Sequence, residues 1–263
     1  MYRQKRTEVI SNAAGLAVTL GIAFLAVIVL IFILSKTPVK TIYYFFIGPF
    51  TKSYYFGNML NRSIPLILTG LGIAVAFRAS VFNLGGEGQI YSGALAATVM
   101  SLWLPKLPGI VGVIIGALVA ISAGAFLAGL SGFFRMQFGT DELISSFLIS
   151  SAIVLIVNYF ITGPLDDPAS NLLSTRIIPE QYRLLKIFPP SKLDISIGIS
   201  AVIAVLTYFF LFRTHWGYEL RMCGLNRNFA RYGGISVKKY LLLPMVISGG
   251  FHGLSGSLAV YGT

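Results

Sequence analysis

Seven stretches of this sequence are too long and too apolar to face water, and they set what the chain can fold into. The first, residues 13–34, contains no charged side chain. The others fall at roughly 60–78, 90–104, 109–133, 143–161, 194–212 and 241–261. A hydrocarbon core near 30 Å thick is crossed by about 20 residues of helix. Backbone groups in lipid must bond within their own segment or around a closed barrel. The runs are rich in Ile, Leu, Val, Ala and Gly and lack period-two alternation, so they predict helices. Only 11% of the residues are charged, against roughly a quarter in a soluble domain. The expected fold is therefore all-α: a polytopic membrane helix bundle of about seven spans, forming one transmembrane domain over residues 1–263.

The formal net charge of +11 would suggest nucleic acid in a soluble protein. Here the basic residues lie between the apolar runs, which fits charges at lipid headgroups and no nucleic-acid partner. Arg3, Lys5 and Arg6 precede the first run, which is longer than the apolar core of a signal peptide. It reads as a retained helix with its start in the cytoplasm. Alternation then places 35–59, 105–108 and 162–193 outside a cell (inner) membrane, and the turn at Arg135 and residues 213–240 inside. The segment 213–240 carries Arg213, Arg221, Arg227, Arg231, Lys238 and Lys239 against one acid, Glu219, as the positive-inside rule requires. Tyr43, Tyr44, Phe45, Phe46, Tyr54, Tyr55 and Phe56 fit an interfacial belt or a helix lying on the membrane. Gly112 and Gly116, and Gly249 and Gly253, have the spacing of close helix packing.

The pattern breaks at Val81-Phe-Asn-Leu-Gly-Gly-Glu-Gly-Gln89. Three glycines in four positions (Gly85, Gly86, Gly88) disfavour a helix interior. The following run, 90–104, is short for a full span, so part of 81–89 is expected at membrane depth as a broken or re-entrant segment. Irregular backbone at that depth must be buried in protein or line a wet cavity, and broken helices commonly frame transport sites. Phe82, Asn83, Gly85, Gly86, Glu87, Gly88 and Gln89 are the candidate substrate-path residues. Glu87 is either a functional acid at depth or a helix N-terminal charge at the headgroup level. Asn83, Gln89 and Phe82 suit a polar, ring-containing ligand.

Chemistry on the chain itself is not expected. There is no GxxxxGK[ST], GxSxG or HExxH. One cysteine, Cys223, makes no internal disulfide, and two histidines are too few for a His-based metal site. No cofactor is implied. The basic segment after Arg213 contains a helix-compatible stretch near 217–232, stopped by Gly233-Gly234.

Three stretches together resemble the permease subunits of bacterial ABC importers for simple sugars and nucleosides, a group related to branched-chain amino acid permeases. They are LTGLGIAVAFRASVFNLGGEGQIYSGALAA (68–97), GTDELISSFLISSAIVLIVNYFITGPL (139–165) and RTHWGYELRMCGLNRNFARYGGI (213–235). In the second, Asp141 and Ser150 stand where the family usually has Asn. In the third, Arg227 stands where Pro is usual. The resemblance implies a solute-binding protein outside, a second permease alongside, and ATP-binding subunits inside that hydrolyse ATP. It makes 213–235 the segment coupling to the ATPase, through Glu219, Leu220, Arg221, Gly224, Leu225, Asn226, Phe229 and Ala230. The apolar residues of that set are expected to touch the ATPase, with Arg221 and Arg227 at a polar rim and Gly224 allowing close approach. A nucleoside is the expected solute, with riboflavin and simple sugars next. An ion-coupled carrier using Glu87 and a non-transporting scaffold are the other readings. Family members continue past Gly262-Thr263, so the chain is expected to be truncated relative to them.

Overall fold

The computed structural model describes residues 2–172 and 174–262, with side chains from residue 14 onward; Arg3, Lys5 and Arg6 lie outside the described side chains. The chain divides into two compact units, residues 1–56 and 57–263. Among the described residues there is no strand, only the isolated bridges Asp166–Thr175 and Lys186–Asp194. The all-α expectation holds.

The first unit holds α1 (Tyr2–Leu34), α2 (Pro38–Phe46) and α3 (Gly48–Thr51). The large apolar side chains of α1, from Leu16 to Leu34, are mostly exposed, as a helix facing lipid should be. Helix α2 begins with Pro38, whose missing N–H costs nothing at a helix start. None of its residues is buried, which fits the expected interfacial role of its aromatics.

The second unit is built on α4 (Ser53–Arg78), α5 (Gly86–Trp103), α6 (Gly109–Phe138), α7 (Glu142–Thr162), α8 (Ser196–Arg213), the short α9 (His215–Leu225) and α10 (Arg227–Tyr232), and α11 (Val237–Tyr261). Six helices of the described chain are long and apolar enough to span: α1, α4, α6, α7, α8 and α11. The seventh expected span corresponds to α5. Its 18 residues include Gly86, Glu87, Gly88 and Gln89, so it is the short and polar-headed member.

Helix α11 is the centre: 61% of its spanning window is buried, against 28% for α4 and α6. Small residues make this possible. A Cβ on Gly93 of α5 would sit 2.6 Å from Gly253 Cα, and one on Gly253 would collide with the Ala120 carbonyl of α6. The expected Gly249/Gly253 pair is thus the seam where α11 meets α6.

Loop contacts define two ends. At one, Gln181 Nε2 donates to the Pro105 and Leu107 carbonyls at 2.6 and 3.0 Å, and Lys192 N–H donates to Asn58 Oδ1 at 2.9 Å. At the other, Ser80 Oγ donates to the Gly224 carbonyl at 2.8 Å, and Arg135 pairs with Glu142. Residues 105–108 and the 163–195 excursion share one end; the 78–86 and 138–142 connections share the opposite end with α9 and α10. This is the grouping that alternation requires.

Candidate functional site

Helix α4 ends at Arg78, and Ser80 adopts a left-handed conformation with φ 51°. That reverses the chain. Residues 81–85 are irregular and α5 starts at Gly86. Asn83 Nδ2 reaches Ser248 Oγ at 3.0 Å, near the middle of α11. Ser248 also packs against Gly72 of α4, whose Cβ would lie 2.9 Å from the Ser248 carbonyl. By residue 83 the chain has therefore climbed back to the level of Gly72. The segment is re-entrant, with the non-helical part at 81–85 and helix from Gly86 onward.

An irregular segment at that depth needs partners for its N–H groups. Helix α7 supplies them from one face. Phe82 N–H donates to Glu142 Oε1 at 3.4 Å, Leu84 N–H to Ser146 Oγ at 3.0 Å, and Gly88 N–H to Ser150 Oγ at 2.8 Å. Glu142, Ser146 and Ser150 are four residues apart, which aligns them along one side of a helix, and all three are buried. Arg135 neutralises Glu142 from the end of α6. Asp141 caps α7 by accepting from Leu143 N–H at 2.8 Å.

Inside the loop, Asn83 and Gln89 form a reciprocal amide pair, with Asn83 Nδ2 to Gln89 Oε1 and Gln89 Nε2 to Asn83 Oδ1 both at 2.9 Å. Gly85 N–H, which can only donate, points at Asn83 Oδ1 at 2.9 Å and so fixes the orientation of both amides. Gln89 Oε1 is then an acceptor facing His252 Nδ1 at 2.7 Å, so Nδ1 carries the proton. Asn83 and Gln89 are 4% and 2% exposed. They build the loop rather than line an open surface.

The other predicted path residues, with Leu84 between them, divide by exposure, although Leu84 was not among those expected. Gly85 and Gly88 are buried, Gly86 is half-buried, and Phe82, Leu84 and Glu87 are exposed. The glycines are where neighbours come close: a Cβ on Gly88 would lie 2.7 Å from Ser150 Cα, and one on Gly86 3.3 Å from the His252 ring. Phe82 meets Phe77 edge-on with ring centroids 5.0 Å apart. Glu87 sits in the first turn of α5, where the helix dipole favours a carboxylate.

At the opposite face of this elbow lie α9 and α10. The expected single stretch near 217–232 is two helices, because Asn226 turns out of α9 and its Oδ1 caps α10 through Asn228 and Phe229 N–H, both at 3.0 Å. Of the predicted coupling residues, Leu225 and Phe229 are 78% and 66% exposed, whereas Leu220 and Ala230 are 0% and 1% exposed and belong to the apolar core with Val75, Val81 and Met245. Leu220 and Ala230 therefore hold the two helices down and present no surface. Gly224 does permit close approach, but to this chain: a Cβ there would strike the Arg78 carbonyl. Glu219 accepts from Tyr240 Oη and lies 3.6 Å from His215 Nδ1. Arg221 stacks over Phe212 at 5.2 Å. Arg227 is half-buried, and its Nη2 donates to the Ser80 carbonyl of this chain at 3.0 Å.

Sequence reasoning missed Glu142, Ser146, Ser150, Ser248, His252 and Arg135. The four-residue spacing of polar side chains in an apolar span was the available signal for the α7 trio. Nothing local marks Ser248 or His252 as partners of Asn83 and Gln89.

The model of the family described as "Branched-chain amino acid transport system / permease component" matches residues 55–263. The chain belongs to this permease family. Among relatives, this permease is 30% identical over 250 residues to "Probable riboflavin import permease protein RfuC" of Treponema pallidum (strain Nichols), covering 94% of this chain and 65% of that protein. It is 30% identical over 222 residues to the guanosine ABC transporter permease protein NupP of Bacillus subtilis (strain 168), covering 82% and 62%. The glucose ABC transporter permease protein TsgB13 of Haloferax volcanii is 28% identical over 269 residues, covering 98% and 68%. The permease thus spans just under two thirds of the length of the first two relatives. No solved structure matches it. The matched region coincides with the second compact unit, and so contains both the re-entrant loop and the α9–α10 pair.

Proposed function

We propose that the chain is a translocation-path subunit of an ATP-driven importer in the cell membrane, working with ATP-binding subunits, a second permease and an extracytoplasmic solute-binding protein. The N-terminus and the α9–α10 end lie in the cytoplasm on this reading. The observation that carries it is the re-entrant segment 81–85 held at membrane depth by α7 and α11. A lipid-facing bundle has no use for irregular backbone at that depth, whereas a solute path does. Phe82 and Leu84 of the loop and Glu87 in the first turn of α5 are exposed while the amide pair is buried, and on this reading they form the face offered to the path. The exposed acid, Glu87, is disfavoured against lipid and at home against a wet path. Of the expected coupling residues, Leu225 and Phe229 are the apolar ones left exposed and so available to the ATPase.

A nucleoside is the favoured solute. The relatives named for riboflavin, guanosine and glucose all carry polar, hydroxyl-rich cargo, and an aromatic Phe82 beside a carboxylate suits a base with a sugar. The test is uptake of radiolabelled guanosine into proteoliposomes holding the permease, its partner permease, ATPase subunits and binding protein. ATP-dependent accumulation blocked by unlabelled nucleoside, with riboflavin and glucose weaker competitors, is the expected result. Uptake driven by a proton gradient without ATP would overturn it.

A further inference from the structure

Three helices converge on residues 80–82, where α4 turns into the re-entrant loop, and a fourth backs one of them. The Ser80 carbonyl accepts from Arg227 Nη2 of α10 at 3.0 Å, and Ser80 Oγ donates to the Gly224 carbonyl of α9 at 2.8 Å. Two residues on, Phe82 N–H donates to Glu142 of α7, which is paired with Arg135 of α6. Gly224 lies so close to Arg78 and Ala79 that a side chain there has no room. Ser80 is held at φ 51°, a conformation that a non-glycine residue adopts at a cost, and its main chain and side chain are both fastened to the α9–α10 junction.

We infer that Arg227 is a positioning residue: with Ser80 it latches the α9–α10 junction to the elbow of the re-entrant loop, so that the two move as one body. The charge-assisted bond to a carbonyl belongs to the stronger class of hydrogen bond. The path from it to Asn83 is three residues of tightly bonded backbone. A push on α9 and α10 reaches the amide pair through the elbow directly, without first tilting a whole span. Arg227 stands where the sequence resemblance leads one to expect proline, a residue with no side chain able to make this bond. The latch is thus a feature of this chain's own residues. Its mechanical use rests on the ATPase-coupling reading above; its existence does not.

The experiment has two arms on the full chain co-expressed with its partner subunits. In the first, amide exchange of the purified permease is compared for wild type, Arg227→Ala, Arg227→Lys and Ser80→Ala. Local opening governs exchange, so Arg227→Ala is expected to speed exchange across residues 81–89 by about tenfold, the loss expected for one charge-assisted bond. Exchange in the middle of α6 should be unchanged. Arg227→Lys, which restores a cationic donor, should recover most of the protection, and Ser80→Ala should show a smaller effect in the same segment. In the second arm, proteoliposome uptake by Arg227→Ala should lose maximal rate by about tenfold with the half-saturating solute concentration little changed, while the ATPase still co-purifies. Unchanged exchange at 81–89 in Arg227→Ala overturns the latch. So does loss of the ATPase from both Arg227→Ala and Arg227→Lys without any change in exchange, which would make Arg227 a surface docking residue. Wild type without ATP-dependent uptake would sink the importer reading and leave the exchange arm to decide the latch.

Discussion

The Gly88 N–H donates to Ser150 Oγ across 2.8 Å, and the absence of a side chain on Gly88 is what lets α5 come close enough to α7 for that bond. The two residues form a lock with separate parts: a hydroxyl that accepts and a gap that admits it. Removing either part should cost a similar amount for different reasons. Ser150→Ala leaves a buried N–H without a partner, about 1–3 kcal/mol. Gly88→Ala drives a Cβ into the Ser150 backbone, again about 1–3 kcal/mol for overpacking. Because both act on one contact, the double variant should fall well short of the sum. Thermal unfolding in detergent measures this; additive effects would show that the two residues act independently.

Asn83 is the most heavily committed side chain of the re-entrant loop. Its Nδ2 donates to Gln89 and Ser248 and its Oδ1 accepts from Gln89 and Gly85. Asn83→Asp changes the shape least but sets a second oxygen against Gln89 Oε1 and buries a charge. Asn83→Ala strands three partners. Both should destabilise by about 2 kcal/mol or more, and both should abolish uptake even at temperatures where the protein stays folded. An Asn83→Asp permease with wild-type stability and uptake would mean that the amide pair does not shape the loop.

Glu87 gives the opposite expectation. It is exposed and in the first turn of α5, so Glu87→Gln should change stability by no more than about 0.3–1 kcal/mol, the scale of a helix-end charge. If the exposed face of the loop lines the solute path, uptake should nevertheless fall by about tenfold. Equal uptake by Glu87→Gln and wild type would return Glu87 to a helix-end charge with no part in transport.

How much of this was legible beforehand follows from what each feature depends on. The spans were legible because lipid solvation acts on every residue of a run, and a run such as 13–34 admits no other reading. The re-entrant loop was legible from the shortness of the run after it, whereas of the three glycines only Gly85 lies in the break, because Gly86 and Gly88 serve close packing inside α5. The inward turn of Asn83 and Gln89 was not, because it depends on Ser248 and His252, which lie far along the chain and meet them only through the packing of α11. The α9–α10 residues show the same limit. Leu220 and Ala230 look like docking residues in sequence because they are apolar in a basic segment; they are apolar because they pack on Val75 and Val81.

Cys223 supplies a chemical check on that packing. It is 2% exposed on α9, and burial, with Glu219 adding to it, pushes its thiol above the ordinary range while Arg227 pulls the other way. Thiolate is the reactive form. A free thiol would react with maleimide much faster on going from pH 7 to pH 9, and Cys223 should gain little over that range until the protein is denatured. The unfolded thiol loses its proton first as pH rises, so this group's contribution to stability is present at neutral pH and declines in alkali. Rapid labelling of the native protein at pH 7 would show that α9 is not seated on the core.

A silent native cysteine makes the membrane orientation testable by single added cysteines. The structure puts Asn58 and Lys192 together at one end and Ser80, Gly224 and Arg227 at the other. In the second unit, the Arg227 end carries Arg78, Arg135, Arg213, Arg221, Arg227, Arg231, Lys238 and Lys239 against Asp141, Glu142 and Glu219. The Lys192 end carries Arg62, Lys106, Arg176, Arg183, Lys186 and Lys192 against Asp166, Asp167, Glu180 and Asp194. Arginine and lysine are retained on the cytoplasmic side, so the Arg227 end should be inside. In intact cells an impermeant maleimide should label Lys192→Cys and leave Asn228→Cys untouched until the membrane is opened; Asn228 is exposed and capped through its backbone, so its side chain can be replaced without disturbing α10. Asn58→Cys, whose side chain accepts from Lys192, should follow position 192. Labelling at 228 with none at 192 would invert the whole permease, and with it the assignment of Leu225 and Phe229 to the face that meets the ATPase.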